Sequence, residues 1–451
     1  MTEIRTGLGL WRNFLQRPTR TAIETFRDQQ LRALVRHAHD RVPYYRRLFE
    51  EHGVDVDRFR GVTDLKRIPI TSRQTLQALP ADQIVAAGYD PSRLVQRWSS
   101  GSTGMKLSVR RAWLEDRTLA AFRKRAQREV GLTIWDRMAR FELQRGTAQN
   151  DLQWPLRVLQ SAGLFRLRSI DCLADPGDAM ETLRAYRPDV IAGFPGVITR
   201  VAEASGKAGL RDLGVRLIIA GGEVLTPAMR QEMSRAFAAQ IYNKYGTIEF
   251  DHVAIECPQS GEMHVCDDAL ILEVLRGDAP VECGEPGEVV VTGLHSAAMP
   301  LIRYRLGDIA TQGSERCSCG APFATIRSVR GRMLDYFPLP DGRLIHPFSL
   351  TTPMLESHPW IRQYQLTQER VDHFVLRVVP SAQPTPSRLE ALKQQYAQSL
   401  GQPVTLDIRL LDTLSPEPSG KFRLSRSLVR SQYDEIDWKQ VDDRVPAKGT
   451  S

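Results

Sequence analysis

Hydroxyl side chains and glycines are concentrated in residues 99–106, shortly after the apolar pair Leu94 and Val95. Glycine lets a backbone approach a polyphosphate closely, and hydroxyl and backbone N–H groups can donate hydrogen bonds to its oxygens. The spacing is not that of a Walker-type phosphate loop. Such a cluster is also typical of a flexible turn, so the segment alone leaves a phosphate site and a turn as alternatives.

Two acidic residues close short motifs that contain glycine. Glu249 ends a Tyr-Gly-x-x-Glu motif that follows a predicted strand through Ile241, and a glutamate beside a glycine turn can hold Mg²⁺ against phosphate oxygens. Asp308 ends a Tyr-Arg-x-Gly-Asp motif, and its carboxylate could accept hydrogen bonds from ribose hydroxyls. The alternatives are an ordinary surface glutamate and a weak surface Arg–Asp pair.

Near the C-terminus, Lys421 closes a Pro-x-Gly-Lys motif. A lysine on such a loop can be placed against negative charge that develops during a reaction. Considered alone, Lys421 is one of many lysines.

The order of the motifs is more informative than any one of them. A Ser/Thr/Gly loop, Y-G-x-x-E, Y-R-x-G-D, G-R-x-x-D at residues 331–335 and P-x-G-K follow one another over roughly residues 94–423. This collinear set resembles the adenylate-forming enzymes of the acyl-CoA synthetase type. Residues 42–45 (VPYY) and 68–72 (IPITS) are similar to the opening segments of phenylacetate–CoA ligases and their capsule-biosynthesis-associated relatives.

The resemblance implies a role for each motif. The loop would hold the β- and γ-phosphates of ATP, Glu249 would bind Mg²⁺, and Lys421 would bridge the carboxylate and the α-phosphate. Asp335 would be the hinge between a large and a small domain. The implied nucleotide-binding residues are Ser100, Gly101, Ser102, Thr103 and Gly104 at the phosphates, Gly222, Glu223, Tyr245, Gly246 and Thr247 around the adenine and the turn, and Asp308 with Arg332 at the ribose.

The implied reaction is ATP-dependent activation of a carboxylic acid, aromatic by resemblance, followed by transfer of the acyl group to CoA. Such chemistry needs positioning and charge neutralisation. Ile248 departs from the family pattern because relatives carry a hydroxyl residue there, and Thr247 lies one position early. Transfer to an amine, transfer of AMP and a degenerate nucleotide-binding scaffold stay open, although Lys421 argues against the last.

A second candidate site contains sulfur and imidazole. Cys257 and His264 are separated by six residues, and Cys317 and Cys319 lie in a Cys-Ser-Cys-Gly turn. Three thiolates and one imidazole suit tetrahedral structural Zn²⁺, whereas buried free thiols and a core histidine are the alternative. Similar positions in the phenylacetate–CoA ligase branch favour zinc, which would tie two loops beside the nucleotide site. Cys266 is a substitute ligand.

The pattern of elements predicts an α/β fold with a large N-terminal domain and a small, mobile α+β domain. Apolar runs near Val190 and Val215, with a helical stretch from Ile198 between them, have the strand–helix–strand alternation of a parallel sheet. The predicted divisions are a helical segment of the large domain at 1–90, the ATP- and acid-binding core at 91–334, the C-terminal lid domain at 335–440 and a frayed tail at 441–451.

Bulk properties exclude several classes of protein. The 451 residues suit a large domain plus a smaller one, and the net charge of +8 is spread along the chain without a basic tail, so no nucleic-acid partner is expected. The chain has neither an apolar run long enough to cross a bilayer nor a secretory signal, which predicts a cytoplasmic protein with reduced cysteines and no membrane partner. Cys172 and Cys283 are expected to pack as small apolar residues. A homodimer stays open.

Overall fold

The N-terminal part of the chain is helical, as its apolar spacing predicts. Helix α1 (Arg20–Arg41) begins after Thr19, whose hydroxyl accepts a hydrogen bond from the Ala22 N–H, and it buries one face from Ile23 to Ala38. Proline cannot continue a helix but fits its first turn. Pro43 accordingly starts helix α2 (Pro43–Glu51).

The computed structural model describes residues 19–98, 107–143, 159–332, 336–345, 347, 350–351, 354, 357–401, 403–414, 423–429 and 441–442, of which 330–332 and 441–442 are described by their backbone. The remaining helices are α3 (Arg73–Gln77), α4 (Ala81–Ile84), α5 (Trp113–Glu129), α6 (Pro176–Tyr186), α7 (Pro195–Ala204), α8 (Pro227–Phe237) and α9 (Pro386–Leu400). The strands are β1 (Val95–Trp98), β2 (Ser108–Arg111), β3 (Met138–Glu142), β4 (Leu167–Asp171), β5 (Val190–Gly193), β6 (Leu217–Gly221), β7 (Gln240–Tyr245), β8 (Ala254–Glu256), β9 (Met263–Val265), β10 (Leu270–Arg276), β11 (Ala279–Pro280), β12 (Pro286–Gly293), β13 (Tyr304–Gln312), β14 (Thr325–Arg332), β15 (Phe337–Pro338), β16 (Leu344–Ile345), β17 (Ile361–Arg370), β18 (His373–Pro380), β19 (Thr405–Leu410), β20 (Ser425–Ser427) and β21 (Val441–Asp442).

A twelve-stranded sheet dominates the first part of the chain, in the order β11-β10-β12-β13-β14-β9-β8-β7-β6-β5-β3-β4. Strands β3 to β7 pair in parallel, and α6, α7 and α8 return the chain from β4 to β5, from β5 to β6 and from β6 to β7. From β7 onward the pairing becomes antiparallel, first with β8. The predicted α/β class is therefore confirmed.

The parallel register sets where a ligand can bind. Gly193 pairs with Ala220, and Gly221 pairs with Lys244, so β5, β6 and β7 finish at one edge. Ligands of open α/β sheets bind at the carboxyl ends of the strands. Apolar side chains cover both faces behind this edge, with Ile191, Ile218 and the helices α7 and α8 on one face and Val190, Leu217 and helix α5 on the other.

The chain divides into two compact units, one comprising Met1–Leu306 and Ala310–Val329 and the other comprising Gly307–Ile309 and Arg330–Ser451. In the second unit, β17 and β18 form the centre of a four-stranded sheet, on which α9 buries Leu392, Tyr396 and Leu400. Val441 and Asp442, which the sequence places in a frayed tail, form strand β21 beside β16. Among the described residues, no helix combines the length and the apolar character required to cross a membrane.

Candidate functional site

The Tyr-Gly-x-x-Glu motif forms a tight turn at the carboxyl end of β7. A side chain at Gly246 would collide with the carbonyl oxygen of Asp251, so glycine is required there. The Thr247 hydroxyl accepts a hydrogen bond from the Phe250 N–H at 3.1 Å, and the Thr247 carbonyl accepts one from the Asp251 N–H at 2.8 Å. The hydroxyl of Thr247 therefore stabilises the turn.

Glu249 lies at the base of this turn and is paired with a cation. Its side chain is only 3% exposed, and Oε1 lies 2.9 Å from Nη2 of Arg73. Arg73 also donates from Nε to the hydroxyl of Tyr304 at 3.3 Å. Burial, together with the carboxylate of Glu249, raises the pKa of Tyr304. Glu249 is thus held in one orientation.

Sequence reasoning singled out residues 68–72 but missed the role of the next residue, Arg73. The Thr71 N–H donates to the carbonyl of Arg303, and the Arg305 N–H donates to the carbonyl of Thr71, which ties this segment alongside β13. Ser72 caps α3 by accepting from the Thr75 N–H at 3.1 Å. The segment therefore aims Arg73 at Glu249.

A second arginine that the sequence did not single out fixes the backbone of the motif. Arg111, at the end of β2, donates from Nη2 to the carbonyls of Ile248 and Glu249, at 2.6 Å each. It is buried and lies 3.5 Å from a carboxylate oxygen of Asp116. Ile248 itself is 39% exposed, so the residue that departs from the family pattern is not part of the core.

The predicted adenine segment follows β6. Gly222 has a φ of +86°, and a Cβ there would lie 2.9 Å from the ring of Phe194, so both conformation and space require glycine. The carboxylate of Glu223 accepts a hydrogen bond at 3.0 Å from the Gly196 N–H, in the first turn of α7. Because β6 pairs with β7, this segment and the Tyr245 turn lie at the same sheet edge.

The other predicted nucleotide residues are only partly described. Asp308 is buried on β13, and the backbone of Arg332 ends the neighbouring strand β14. Ser100, Gly101, Ser102, Thr103, Gly104, Asp335 and Lys421 lie outside the described residues, so their roles stay predictions.

The four residues of the predicted metal site do come together, since one ligand atom from each lies within 4.8 Å of the others. Cys257 follows β8, His264 lies on β9, and Cys317 and Cys319 belong to the connection between β13 and β14. The sulfurs of Cys257 and Cys317 are 3.7 Å apart, and Cys319 Sγ lies 3.3 Å from His264 Nε2. Zn–S bonds of about 2.3 Å in a tetrahedron place two sulfurs about 3.8 Å apart, so the spacing fits zinc.

Neighbouring groups orient these ligands. Glu129, at the end of α5, lies 3.2 Å from Nδ1 of His264, which leaves Nε2 directed at the thiols. The backbone N–H of Gln259 donates to Cys257 and that of Ala321 donates to Cys319. A carboxylate behind a histidine and N–H groups on thiolates are typical of metal sites.

The other three cysteines lie outside this group of four residues. Cys266 packs with Phe122 and Ala269 and is not a member of the four-residue group. Cys172 is buried as expected, but the expectation for Cys283 is wrong, because its side chain is exposed.

Comparison with known proteins shows which families this chain is similar to. A model described as AMP-binding enzyme matches residues 158–299, and one described as CapK C-terminal domain matches residues 338–427. The chain is 27% identical to a phenylacetate-coenzyme A ligase of Thermus thermophilus, covering 78% of this chain and 79% of the relative. It is 22% identical to Protein CapK of Staphylococcus aureus, covering 56% and 55%.

The fold has relatives among solved structures. A 2-hydroxyisobutyryl-CoA ligase in complex with 2-HIB-AMP superposes with a TM-score of 0.73 at 19% identity, covering 90% of this chain and 89% of that one. An anthranilate CoA ligase in complex with anthranoyl-AMP gives 0.54 at 17% identity, covering 75% and 66%. The two matched domains and the curated relatives support an adenylate-forming enzyme. Within that class, the chain is similar to the branch of phenylacetate–CoA ligases and CapK proteins.

Proposed function

We propose that the protein uses ATP to convert a carboxylic acid into an acyl-adenylate and then transfers the acyl group to CoA, releasing AMP and pyrophosphate. The observation that carries this proposal is the buried carboxylate of Glu249, held by Arg73 and presented by a rigid turn at the ligand-binding edge of the sheet. The names of the curated relatives support the CoA acceptor.

In the first half-reaction, a carboxylate oxygen attacks the α-phosphorus of ATP. The bond from that phosphorus to the bridging oxygen breaks, and pyrophosphate leaves with the electron pair. Mg²⁺ bound by Glu249 would neutralise charge on the phosphate oxygens. Residues 100–104 would position the β- and γ-phosphates, and Lys421 would neutralise charge between the acid and the α-phosphate.

The ion pair between Arg73 and Glu249 should compete with Mg²⁺ for the carboxylate. Its guanidinium lies 2.9 Å from the carboxylate that would bind Mg²⁺, so binding of the metal has to weaken this ion pair. Until then, Arg73 compensates a buried negative charge that would otherwise be costly.

In the second half-reaction, the thiolate of CoA attacks the carbonyl carbon of the adenylate, and AMP leaves with the electron pair. Lys421 has no role in this step. A rotation of the C-terminal domain about Asp335 would withdraw Lys421 and admit CoA. Gly222, Glu223 and Tyr245 would keep the adenine in place, and Asp308 with Arg332 would keep the ribose in place during both steps.

We also propose that Cys257, His264, Cys317 and Cys319 hold a structural zinc ion. The donor set and its spacing fit this ion. The ion would tie the loop after β8 to the loop before β14, with no part in the chemistry.

An aromatic acid is the first substrate class to test, because the curated relatives include phenylacetate-coenzyme A ligases. Pyrophosphate release from ATP and Mg²⁺ should depend on an acid and should increase with CoA as a thioester forms. Amide formation without CoA, AMP transfer to a protein, or ATP binding without release under any condition would replace the proposal with an amide ligase, an AMP transferase or a scaffold.

A further inference from the structure

A group of cations lines the same sheet edge on the face covered by α5. Arg140 lies near the end of β3, Lys244 near the end of β7, and Arg123 on α5. Because side chains alternate along a strand, Met138, Arg140, Tyr242 and Lys244 share this face. All three cations are partly exposed.

Small residues lie next to each of the two strand cations. On this face, Ala192 of β5 and Ile219 of β6 are in register with Arg140, and Gly221 of β6 is in register with Lys244. A side chain at Gly221 would collide with the carbonyl oxygen of Lys244, so the position beside the lysine stays without a side chain.

The positive charge of this group exceeds the nearby negative charge. Arg123 is paired with Asp251, and a carboxylate oxygen of Glu142 lies 3.9 Å from Arg140. Among the residues that the structure describes, no carboxylate lies within ion-pair distance of Lys244. Burial and the neighbouring Arg123 lower the pKa of Lys244 to about 8. A bound anion would relieve this excess.

A buried histidine that feels the charge of Lys244 also lacks hydrogen-bond partners in the described part of the chain. Both ring nitrogens of His252 are enclosed without a hydrogen-bond partner among the described residues. Burial, together with the positive charge of Lys244, lowers the pKa of His252 well below its usual range. Buried polar groups without partners are rare in complete sites.

The cation group adjoins the adenylate site directly. Lys244 precedes Tyr245, and its side chain passes over Gly246, where a Cβ would lie 3.4 Å from Cε of the lysine. Gly221 precedes Gly222 and Glu223. We propose, on the basis of the proposed acid activation, that the acid carries a second anionic group, a carboxylate or a phosphate, which Lys244 and Arg140 bind.

Matched acids test this inference in the wild-type protein. Terephthalate and 4-phosphonobenzoate should support acid-dependent pyrophosphate release with a kcat/KM roughly 10-fold or more above that of the neutral isostere 4-carbamoylbenzoate, the factor expected of a charge-assisted hydrogen bond. The same order is expected for 4-carboxyphenylacetate against phenylacetate and for succinate against butyrate. A preference for the singly charged acids would overturn the inference.

Two variants test whether Lys244 and Arg140 bind the second anionic group. Lys244→Met and Arg140→Met should each lower kcat/KM for the doubly anionic acids about 10- to 100-fold and leave the singly charged acids within about 3-fold. Lys207→Met, which removes an exposed lysine after α7, is the matched control. Equal losses for all acids would mean that Lys244 contacts the reacting carboxylate or the phosphates, which contradicts the inference.

Calorimetry measures binding of the same pairs of acids without turnover. It therefore distinguishes failure of the proposed activation from failure of the proposed anion site. If the wild-type protein binds terephthalate in preference to 4-carbamoylbenzoate but releases no pyrophosphate, the proposed activation is wrong and the anion site stands. If activation occurs without this preference, the anion site is wrong and the proposed function stands.

Discussion

At the scale of single residues, the ion pair of Glu249 and Arg73 connects the fold to the proposed reaction. Glu249 is almost fully withdrawn from water, and Arg73 is 19% exposed. Removing one partner of a buried pair costs about 3–5 kcal/mol because the other charge is left uncompensated. Bound Mg²⁺ would compensate the carboxylate of Glu249 in place of Arg73, whose guanidinium is partly exposed to water. The ion pair would therefore hold the proposed metal ligand in position until the metal binds.

Replacement of Arg73 by methionine should separate these two effects. Without Mg²⁺, Arg73→Met should lower the free energy of unfolding by about 3 kcal/mol. Half-maximal pyrophosphate release should shift to a lower Mg²⁺ concentration, because the metal no longer competes with the guanidinium.

The control for this variant is Arg36→Met, which removes an arginine from an exposed pair with Asp57. Such a pair contributes about 0–1 kcal/mol, so little change is expected. An unchanged Mg²⁺ dependence in Arg73→Met would contradict the proposed competition.

Lys421 is the residue on which the first half-reaction should depend most. We expect Lys421→Ala to lower acid-dependent pyrophosphate release at least about 100-fold, as the loss of a charged group at a developing charge does. Its transfer of a preformed acyl-adenylate to CoA should stay within about 3-fold of wild type. Lys393→Ala, on the exposed side of α9, serves as the control. Equal impairment of both half-reactions would argue against the assigned role.

At the scale of elements, the sequence did not predict which distant residues lie close together in the fold. Spacing indicated Glu249 as a ligand, but its contact with Arg73 joins α3 to a turn 176 positions away. Arg111 reaches the same turn from β2. Such contacts depend on which strands become neighbours, and a sequence pattern of local period does not determine that order.

For the proposed metal site, by contrast, the sequence did predict which residues come together. Cysteine and histidine are few in this chain, so residue type alone reduced the candidates to a small set that the fold then brought together. Glu129 was not predicted because glutamate is common on helix surfaces. Its contact with His264 follows only from its position at the end of α5.

Metal analysis tests this site. The purified protein should contain stoichiometric zinc, and Cys317→Ser should lose most of it and unfold at a temperature lower by several degrees, since binding energy of a structural metal contributes to folding. Cys283→Ser, which replaces an exposed cysteine, should retain both zinc and stability. Equal, substoichiometric zinc in wild type and Cys317→Ser would refute the assignment.

The turn after β6 can be tested through its glycine. Gly222→Ala should reduce stability by about 1–3 kcal/mol and weaken ATP binding, because alanine resists a φ of +86° and its methyl group would meet Phe194. Gly53→Ala has a similar φ of +63° with open space around it, so it should lose stability without affecting ATP. Identical effects on ATP binding would place Gly222 away from the nucleotide.

At the scale of the whole molecule, the sequence predicted the α/β class and the type of the second domain because these follow from the alternation of apolar runs. The strand–helix–strand unit from β5 to β6 lies where Val190 and Val215 indicated it. The number of strands in the large sheet was not predictable. Strand β14, for example, pairs with the distant strand β9, and no local pattern specifies such a partner.

The proposed hinge gives a prediction for the whole chain. Asp335→Pro fixes φ at the hinge, so it should leave acid-dependent pyrophosphate release within about 3-fold of wild type while lowering thioester formation about 10-fold or more. This is the reverse of the outcome for Lys421→Ala. Asp341→Pro, in the turn between β15 and β16, is the control for the introduction of proline. Equal losses in both half-reactions would show that Asp335 is not a hinge.

Transfer of oxygen from the acid to AMP is the most direct test of the central claim. With an acid labelled by ¹⁸O in its carboxylate, attack on the α-phosphorus followed by thioester formation must leave one labelled oxygen in AMP, and the mass of AMP measures it. We expect AMP with one ¹⁸O together with unlabelled pyrophosphate. Label in inorganic phosphate with formation of ADP, or unlabelled AMP, would contradict activation through an acyl-adenylate.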